Sequence, residues 1–271
     1  MGWRHAAYDA WLMARPRTQL AKTSSRSSLS AKVPPGGEVA KTGAGIARRI
    51  EAQIISDGWP VGQWLGSEPD LVEQYGVSRA AFREAVRLLE FGGVARMRTG
   101  PGGGLIVTAP DASVVTRAAA SFLDYQHVKG RNLFNARSAL ELKCIELIGG
   151  KMTPEQCDHL RSVVEAESTY TTAEIAENSD RFHLVLAELA GDPAIELFLR
   201  VLTELTGGHA LPAAYVTLEN GNNDVQRTCR EHKRIANALM SGETEKASTL
   251  MLRHLKWVSD GVATFEANAE R

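Results

Sequence analysis

The chain has 271 residues, of which 44% are hydrophobic, so its length allows two domains that each bury a core. Its three cysteines show no CxxC spacing, which argues against a disulfide framework and against a thiolate zinc site. No apolar run approaches the roughly 20 residues of a membrane span, and the N-terminus lacks a signal-peptide core, so we expect a cytoplasmic protein without a membrane partner.

Charge differs between the two ends of the chain, although the net charge is only −1. Residues 1–110 hold 14 Lys and Arg against 9 Asp and Glu, a balance of +5. Residues 111–271 hold 17 and 23, a balance of −6. A basic first part and an acidic second part favour a DNA-binding domain joined to a regulatory domain.

Residues 1–40 have the composition of a disordered basic tail. The Ser-rich residues 23–28 and the Pro-Pro-Gly-Gly run at 34–37 bury too little apolar surface to offset the entropy of ordering. Two interpretations stay open. The tail adds a weak, salt-sensitive attraction for phosphates, or it is an extension without a function.

Two helices and a tight turn are predicted after the tail. Three isoleucines spaced four residues apart predict a helix over 43–57. Ser67 caps a short second helix over 67–75, in which Pro69 is tolerated because first-turn N–H groups lack a helical partner. Gly76 then turns the chain into a third helix, which is the spacing of a helix-turn-helix.

The third helix, over 79–90, is apolar on one face and cationic on a neighbouring face. Its apolar residues are Phe82, Val86 and Leu89, and its cations are Arg79, Arg83 and Arg87. Ser78 precedes the helix and predicts its cap. A helix packed on one side and carrying arginines on the other suits the major groove of DNA. The same pattern also describes an amphipathic helix with solvated arginines.

A β-hairpin is predicted after the third helix. Two strand-like runs, at 94–99 and 105–108, flank the glycine-rich residues 100–104. The glycines also raise the alternative of a phosphate cradle, but no GK[ST] follows them and no helix begins directly after them. A hairpin wing beside a helix-turn-helix fits the pattern better.

Residues 43–108 resemble the winged helix-turn-helix of the GntR family of bacterial transcription regulators. The matching segments are 65–71 (LGSEPDL), 75–79 (YGVSR), 83–85 (REA) and 100–107 (GPGGGLIV). The resemblance implies a DNA-binding domain over 41–110 that reads one half of a palindromic operator in double-stranded DNA.

The resemblance also implies roles for residues of the third helix. Arg79 and Arg83 are expected to meet bases and phosphates. Ser78 is expected to contact a phosphate at the helix N-terminus, where backbone N–H groups favour an anion. Arg87, one turn farther along, is expected to be a phosphate contact or a structural residue.

At the tip of the wing, the resemblance implies that Thr99 and Gly100 are placed for the minor groove. One position departs from the family. Where the family commonly has an arginine after the Ser-Glu pair, this chain has Pro69. One usual DNA contact is therefore absent, and the operator preference is expected to differ.

The remaining residues, 111–271, have helical patterns almost throughout. The predicted helices cover 113–126, 132–149, 153–171, 173–190, 193–207, 224–240 and 243–266. Prolines and glycines fall at their starts and ends. The fold class predicted for the chain is therefore mainly α: a winged helix-turn-helix followed by an all-α antiparallel bundle of about seven helices.

Three histidines of this bundle lie on or beside apolar faces of different predicted helices. They are His183, His232 and His254. A single histidine is more often a core or surface residue than a ligand. Imidazoles from separate bundle helices, however, are a common way to build a metal site.

The bundle resembles the FCD ligand-binding domain that follows GntR-type heads in the FadR branch. The matching segments are 133–141 (LFNARSALE), 182–183 (FH), 189–193 (LAGDP), 231–232 (EH) and His254. The resemblance implies that residues 111–271 bind an effector and form the contacts of a homodimer.

The FCD resemblance further implies a divalent metal ion, such as zinc, nickel or manganese, held by three histidines and an aspartate. The family's aspartate lies four residues before the first histidine, where this chain has Ser179. Asp180, one residue nearer to His183, is expected to substitute, or the fourth position goes to water or effector. Arg137 is expected to pair with an effector carboxylate. The alternative for Arg137 is a salt bridge with a bundle glutamate.

The sequence thus predicts a transcription regulator rather than an enzyme, and by the family a repressor, modulated by a small organic acid. Two other readings are open. A metal-dependent hydrolase fused to a DNA-binding head would use three histidines and an open position to activate water, but no second carboxylate is placed as a general base. Alternatively, the metal itself is the signal that the regulator senses.

Overall fold

The computed structural model describes residues 42–171, 174, 178, 180–209 and 221–269. The basic tail predicted at residues 1–40 lies outside these residues. Within them the chain forms a winged helix-turn-helix followed by a bundle of helices, which confirms the predicted fold class. No helix of the described residues combines the length and apolar character needed to cross a bilayer.

From residue 42 onward, three helices and a three-stranded sheet form the described N-terminal part. In chain order they are α1 (Gly43–Ser56), β1 (Trp64–Gly66), α2 (Glu68–Tyr75), α3 (Arg79–Phe91), β2 (Ala95–Arg98) and β3 (Gly104–Val107). The isoleucine stripe of α1 and the apolar stripe of α3 are buried together in one core. Gly76, between α2 and α3, has a φ of +62°, a left-handed conformation that glycine adopts without steric cost.

The sheet forms the wing. Strand β3 lies between β1 and β2 and is antiparallel to both. The predicted hairpin is therefore confirmed, with Arg98 opposite Gly104 as its last pair before the tip. Gly100 and Gly102 in the tip have φ values of +94° and +70°, which explains the glycines at these turn positions.

Seven described helices follow the wing. They are α4 (Ala112–Tyr125), α5 (Gly130–Ile148), α6 (Pro154–Glu167), α7 (Asp180–Ala190), α8 (Pro193–His209), α9 (Gly221–Met240) and α10 (Thr244–Ala269). Each corresponds to one predicted helix. The largest difference at a described end is in α6, which ends at Glu167 instead of continuing to residue 171. The predicted start at residue 173 lies outside the described residues.

Helix α5 is central in the bundle, since it packs against α7, α8 and α10. Apolar residues from α5, α6, α7, α9 and α10 form one continuous core, whose members include Ile145, Leu160, Leu186, Ile235 and Leu255. Ten polar or charged residues of the described part of the chain are nevertheless buried, and most lie on these same helices. Because burying a polar group without a partner is costly, their contacts indicate where function is located.

Candidate DNA-binding face and metal centre

The N-terminus of α3 is fixed by a side-chain cap. Ser78 Oγ accepts a hydrogen bond from the backbone N–H of Ala81 at 3.2 Å, as the sequence predicts. Ser78 and Arg79 are both exposed there. The positive end of the helix dipole thus faces solvent, where it favours an anion such as a phosphate.

Helix α3 buries one face and exposes its arginines. The buried residues are Phe82, Ala85, Val86 and Leu89, and the exposed ones include Arg79, Arg83 and Arg87. The helix is therefore anchored to the core by its apolar stripe while the cations point outward. A recognition helix requires this division.

Arg83 has a partner within the protein. Its Nε donates to Glu68 Oε1 at 2.9 Å, and its side chain is 64% exposed. Glu68 is the first residue of α2, so the ion pair connects the two helices of the helix-turn-helix. Exposed ion pairs of this kind are weak, so a phosphate can compete with Glu68 for the guanidinium.

Thr99 and Gly100 lie in the exposed tip of the wing, between the paired residues of β2 and β3. Arg98 Nη2 donates to the carbonyl oxygen of Gly102 at 3.0 Å and bridges the base of the tip. The structure thus places the six predicted DNA-binding residues on exposed parts of α3 and of the wing.

The three histidines meet inside the bundle. His183 lies on α7, His232 on α9 and His254 on α10, and each is at most 3% exposed. One ring nitrogen of each lies within 4.8 Å of the other two. The Nε2 atoms of His232 and His254 are 3.2 Å apart, and Phe182 stacks on the His232 ring.

Each imidazole has a carboxylate at Nδ1. The distances are 2.5 Å from His183 to Glu141, 2.8 Å from His232 to Glu167 and 3.0 Å from His254 to Glu231. We assign a proton to each Nδ1 because a carboxylate there accepts a hydrogen bond. The assignment leaves a lone pair on each Nε2, which is the form of histidine that binds a metal.

Burial keeps two of these imidazoles neutral. It lowers the pKa of His254 to about 4, although Glu231 acts in the opposite direction. Burial also lowers the pKa of His183 well below its ordinary value, and the charge of Arg137 adds to that decrease. A neutral imidazole does not have to lose a proton before it binds a cation.

The donor set fits a divalent metal ion. With a proton on each Nδ1, the Nε2 lone pairs of His232 and His254 face each other at 3.2 Å, an arrangement that a cation between them stabilises. Two nitrogens at about 2.0–2.1 Å from one tetrahedral zinc ion are about 3.3 Å apart, which is close to this separation. When bound, such an ion would supply a Lewis acid that attracts an anionic oxygen.

Arg137 and Asp180 lie beside the histidines as a second charged group. Arg137 Nε donates to Glu141 Oε1 at 2.6 Å, and its Nη1 lies 3.3 Å from Asp180 Oδ1 and donates to Thr206 Oγ1 at 2.9 Å. Burial opposes the charge, but Glu141 and Asp180 outweigh it and raise the pKa of Arg137. The glutamate salt bridge considered as an alternative for Arg137 is therefore present. Asp180 contacts Arg137 and is not in the group of metal-ligating atoms.

The roles of the three carboxylates, Glu141, Glu167 and Glu231, are not predicted from the sequence. Glu141 and Glu231 belong to segments that resemble the FCD family, but Glu167 does not. Two signals in the sequence were available: Arg137 and Arg227 each precede a glutamate by four residues, and Glu231 directly precedes a histidine. For Glu167 at the end of α6 we find no such signal.

Comparisons with known proteins agree with this architecture. The family described as "Bacterial regulatory proteins, gntR family" matches residues 42–104, and the "FCD domain" matches residues 132–256. The chain is 29% identical over 212 residues to the HTH-type transcriptional regulator LutR of Bacillus subtilis, covering 77% of this chain and 96% of LutR. It is 23% identical over 234 residues to the Uxu operon transcriptional regulator of Escherichia coli, covering 81% and 86%.

Among solved structures, Streptococcus agalactiae GntR aligns with a TM-score of 0.55 at 22% identity, over 79% of this chain and 97% of that chain. This similarity shows the fold. The family assignment rests on the two family matches, which lie on the winged helix-turn-helix and on the helical bundle described above. The chain belongs to the GntR family of bacterial transcription regulators and carries an FCD domain after its DNA-binding head.

Proposed function

We propose that the protein is a homodimeric transcription repressor whose affinity for a palindromic operator is modulated by a small carboxylate effector and a divalent metal ion. The observation that carries the proposal is the convergence of three buried, carboxylate-held histidines in a chain that also exposes an arginine-bearing helix in its N-terminal part. As a DNA-binding regulator the protein acts in the cytoplasm, where bacterial DNA is located.

Each subunit contributes one head to one half of the operator. Arg79 and Arg83 read bases and phosphates in the major groove, Ser78 and Arg87 contact phosphates, and the wing tip reaches the minor groove. Contacts to phosphates make the affinity depend on salt, and contacts to base edges supply the sequence preference.

His183, His232 and His254 hold the metal ion, which is zinc, nickel or manganese. One ring nitrogen of each converges with the other two, and each Nδ1 contacts a carboxylate, so the centre is organised before an ion enters. The wild-type protein should therefore gain about 2.7 kcal/mol of unfolding free energy when free metal reaches 100 times its Kd. His254→Gln should lose most of this gain, measured by urea unfolding with and without zinc.

Arg137 is the anchor for the effector carboxylate. Of its two acidic partners, Asp180 is the weaker one, since it is 23% exposed and 3.3 Å away, whereas Glu141 is fully buried at 2.6 Å. An entering carboxylate replaces Asp180 on the guanidinium. Asp180, three residues before His183, then serves as the fourth metal ligand. Effector binding and DNA binding change each other's affinity by the same factor.

The test is fluorescence anisotropy with labelled DNA from the region beside the gene. We expect binding that prefers specific sequences, weakens with salt, and shifts when small organic acids are added to the metal-loaded protein. Absence of a sequence preference would contradict the proposal. A shift caused by metal alone, with no effect of any acid, would favour the metal-sensing alternative. Turnover of simple esters by the zinc-loaded protein would favour the hydrolase.

A further inference from the structure

Each histidine of the centre is held by one oxygen of a glutamate, and the three glutamates differ in what contacts their other oxygen. Glu141 holds His183 with Oε2, and its Oε1 accepts from Arg137 Nε at 2.6 Å. Glu231 holds His254 with Oε2, and its Oε1 accepts from Arg227 Nε at 3.2 Å. In both cases the arginine stands four residues earlier on the same helix, so each carboxylate has its own cation.

Glu167 departs from this pattern. Its Oε2 accepts from His232 Nδ1 at 2.8 Å, but its Oε1 is buried without a hydrogen-bond partner among the residues that the structure describes. The residue is 1% exposed, so that oxygen is shielded from bulk solvent. Four residues before Glu167 stands Val163, where the other two glutamates have arginine.

A buried carboxylate without a cation is costly, and the cost falls when a positive charge is supplied nearby. The His232 imidazole connects Glu167 to such a place, because its Nε2 faces His254 Nε2 at 3.2 Å, beside the position proposed for the metal ion. Glu141 and Glu231 are already balanced by Arg137 and Arg227.

We propose that Glu167 is a positioning residue whose negative charge makes the centre depend on a bound metal ion. That ion balances the charge of Glu167 through His232. The inference rests on the metal site of the proposed function. Two consequences follow, one for metal affinity and one for the stability of the metal-free protein. Glu167 strengthens metal binding more than Glu231 does, and it destabilises the metal-free protein.

The experiment compares Glu167→Gln with Glu231→Gln in the full chain, and Glu165→Gln serves as an exposed control on the same helix. Glutamine keeps an oxygen that can accept from the imidazole while the charge is lost. Zinc Kd is measured by competition with a chromophoric chelator, and the midpoint of thermal unfolding is measured after metal removal. Glu141→Gln is not used, since it would also leave Arg137 buried without its nearest partner.

We expect Glu167→Gln to weaken zinc binding about 10–100-fold and to raise the unfolding midpoint of the metal-free protein. Glu231→Gln should weaken zinc binding less and should not raise that midpoint. A purely structural role for Glu167 would lower the midpoint, so a lower midpoint or a failure to fold overturns the inference.

An affinity loss in Glu231→Gln that equals the loss in Glu167→Gln also overturns the inference. If the wild type binds zinc and Glu167→Gln behaves like Glu165→Gln, the inference fails while the proposed metal site stands. If the wild type binds none of zinc, nickel and manganese, both the inference and the proposed metal control fail.

Discussion

The DNA-binding face and the histidine centre use arginine in opposite ways. On the face, the Arg83 side chain is 64% exposed and pairs with Glu68 across two helices. In the centre, Arg137 is 2% exposed and pairs with Glu141, which is fully buried. Water screens the first pair but not the second, so the first is weak and exchangeable while the second is structural. Arg83, which can exchange its carboxylate for DNA, is thus at the surface, and Arg137, which organises the centre, is buried.

The largest expected effect concerns Arg137. Arg137→Ala leaves Glu141 buried without its cation, so we expect the metal-free protein to lose about 3–5 kcal/mol of unfolding free energy, measured by urea denaturation. The matched control is Arg161→Ala, which removes an exposed arginine paired with Asp158 on the surface of the bundle. Arg161→Ala should change stability by no more than about 0.5 kcal/mol. Similar losses in the two variants would remove the distinction between buried and exposed arginines.

The same distinction between buried and exposed side chains separates what the sequence predicts from what it does not. Helical spacing predicts which side of each helix is buried, so it places Phe82 in the core, Arg79 outside, and the histidines on inward faces. Such spacing says nothing about which side chains from different helices touch. The contact between His232 and Glu167 joins residues 65 positions apart, and only the packing of α6 against α9 brings them together.

Local rules recover part of the charged network. Arg137 lies four residues before Glu141 on the same helix, so their salt bridge is predictable from the sequence. A salt bridge with a bundle glutamate is the alternative stated for Arg137 in place of effector binding. Local spacing does not predict where the Asp180 carboxylate lies. Its distance of three residues from His183 suggests a shared face, yet its carboxylate lies beside Arg137 and close to Gly207, where a side chain would clash with it.

The second prediction concerns the face itself. Arg79→Ala and Arg83→Ala should each weaken binding to the operator by about 1–3 kcal/mol, because each removes contacts to base edges or phosphates. Neither change should alter the stability of the fold by more than about 0.5 kcal/mol, since both side chains are exposed. Anisotropy titrations on operator and on scrambled DNA separate loss of specificity from loss of general affinity.

A bundle variant, Lys143→Ala, is the control for charge alone, because Lys143 is an exposed cation outside the head. It should leave operator affinity unchanged. Operator binding that is unchanged in both arginine variants would remove α3 as the recognition helix, whereas an equal loss on scrambled DNA would make both arginines phosphate contacts only.

The smallest expected effect tests whether the exposed pair is exchangeable. Glu68→Gln removes the carboxylate that holds Arg83 Nε at 2.9 Å and also removes a negative charge from the neighbourhood of the DNA. Because the pair is exposed, we expect DNA binding to tighten by only about 0.2–1 kcal/mol, on operator and scrambled DNA alike. The double variant Glu68→Gln with Arg83→Ala shows whether the gain passes through Arg83. If the gain passes through Arg83, it disappears in that background. If the gain persists there, Glu68 acts by repelling phosphates directly. Weaker binding in Glu68→Gln would instead mean that Glu68 holds Arg83 in the orientation that DNA requires, and the exposed pair would then be an organising contact like the buried one.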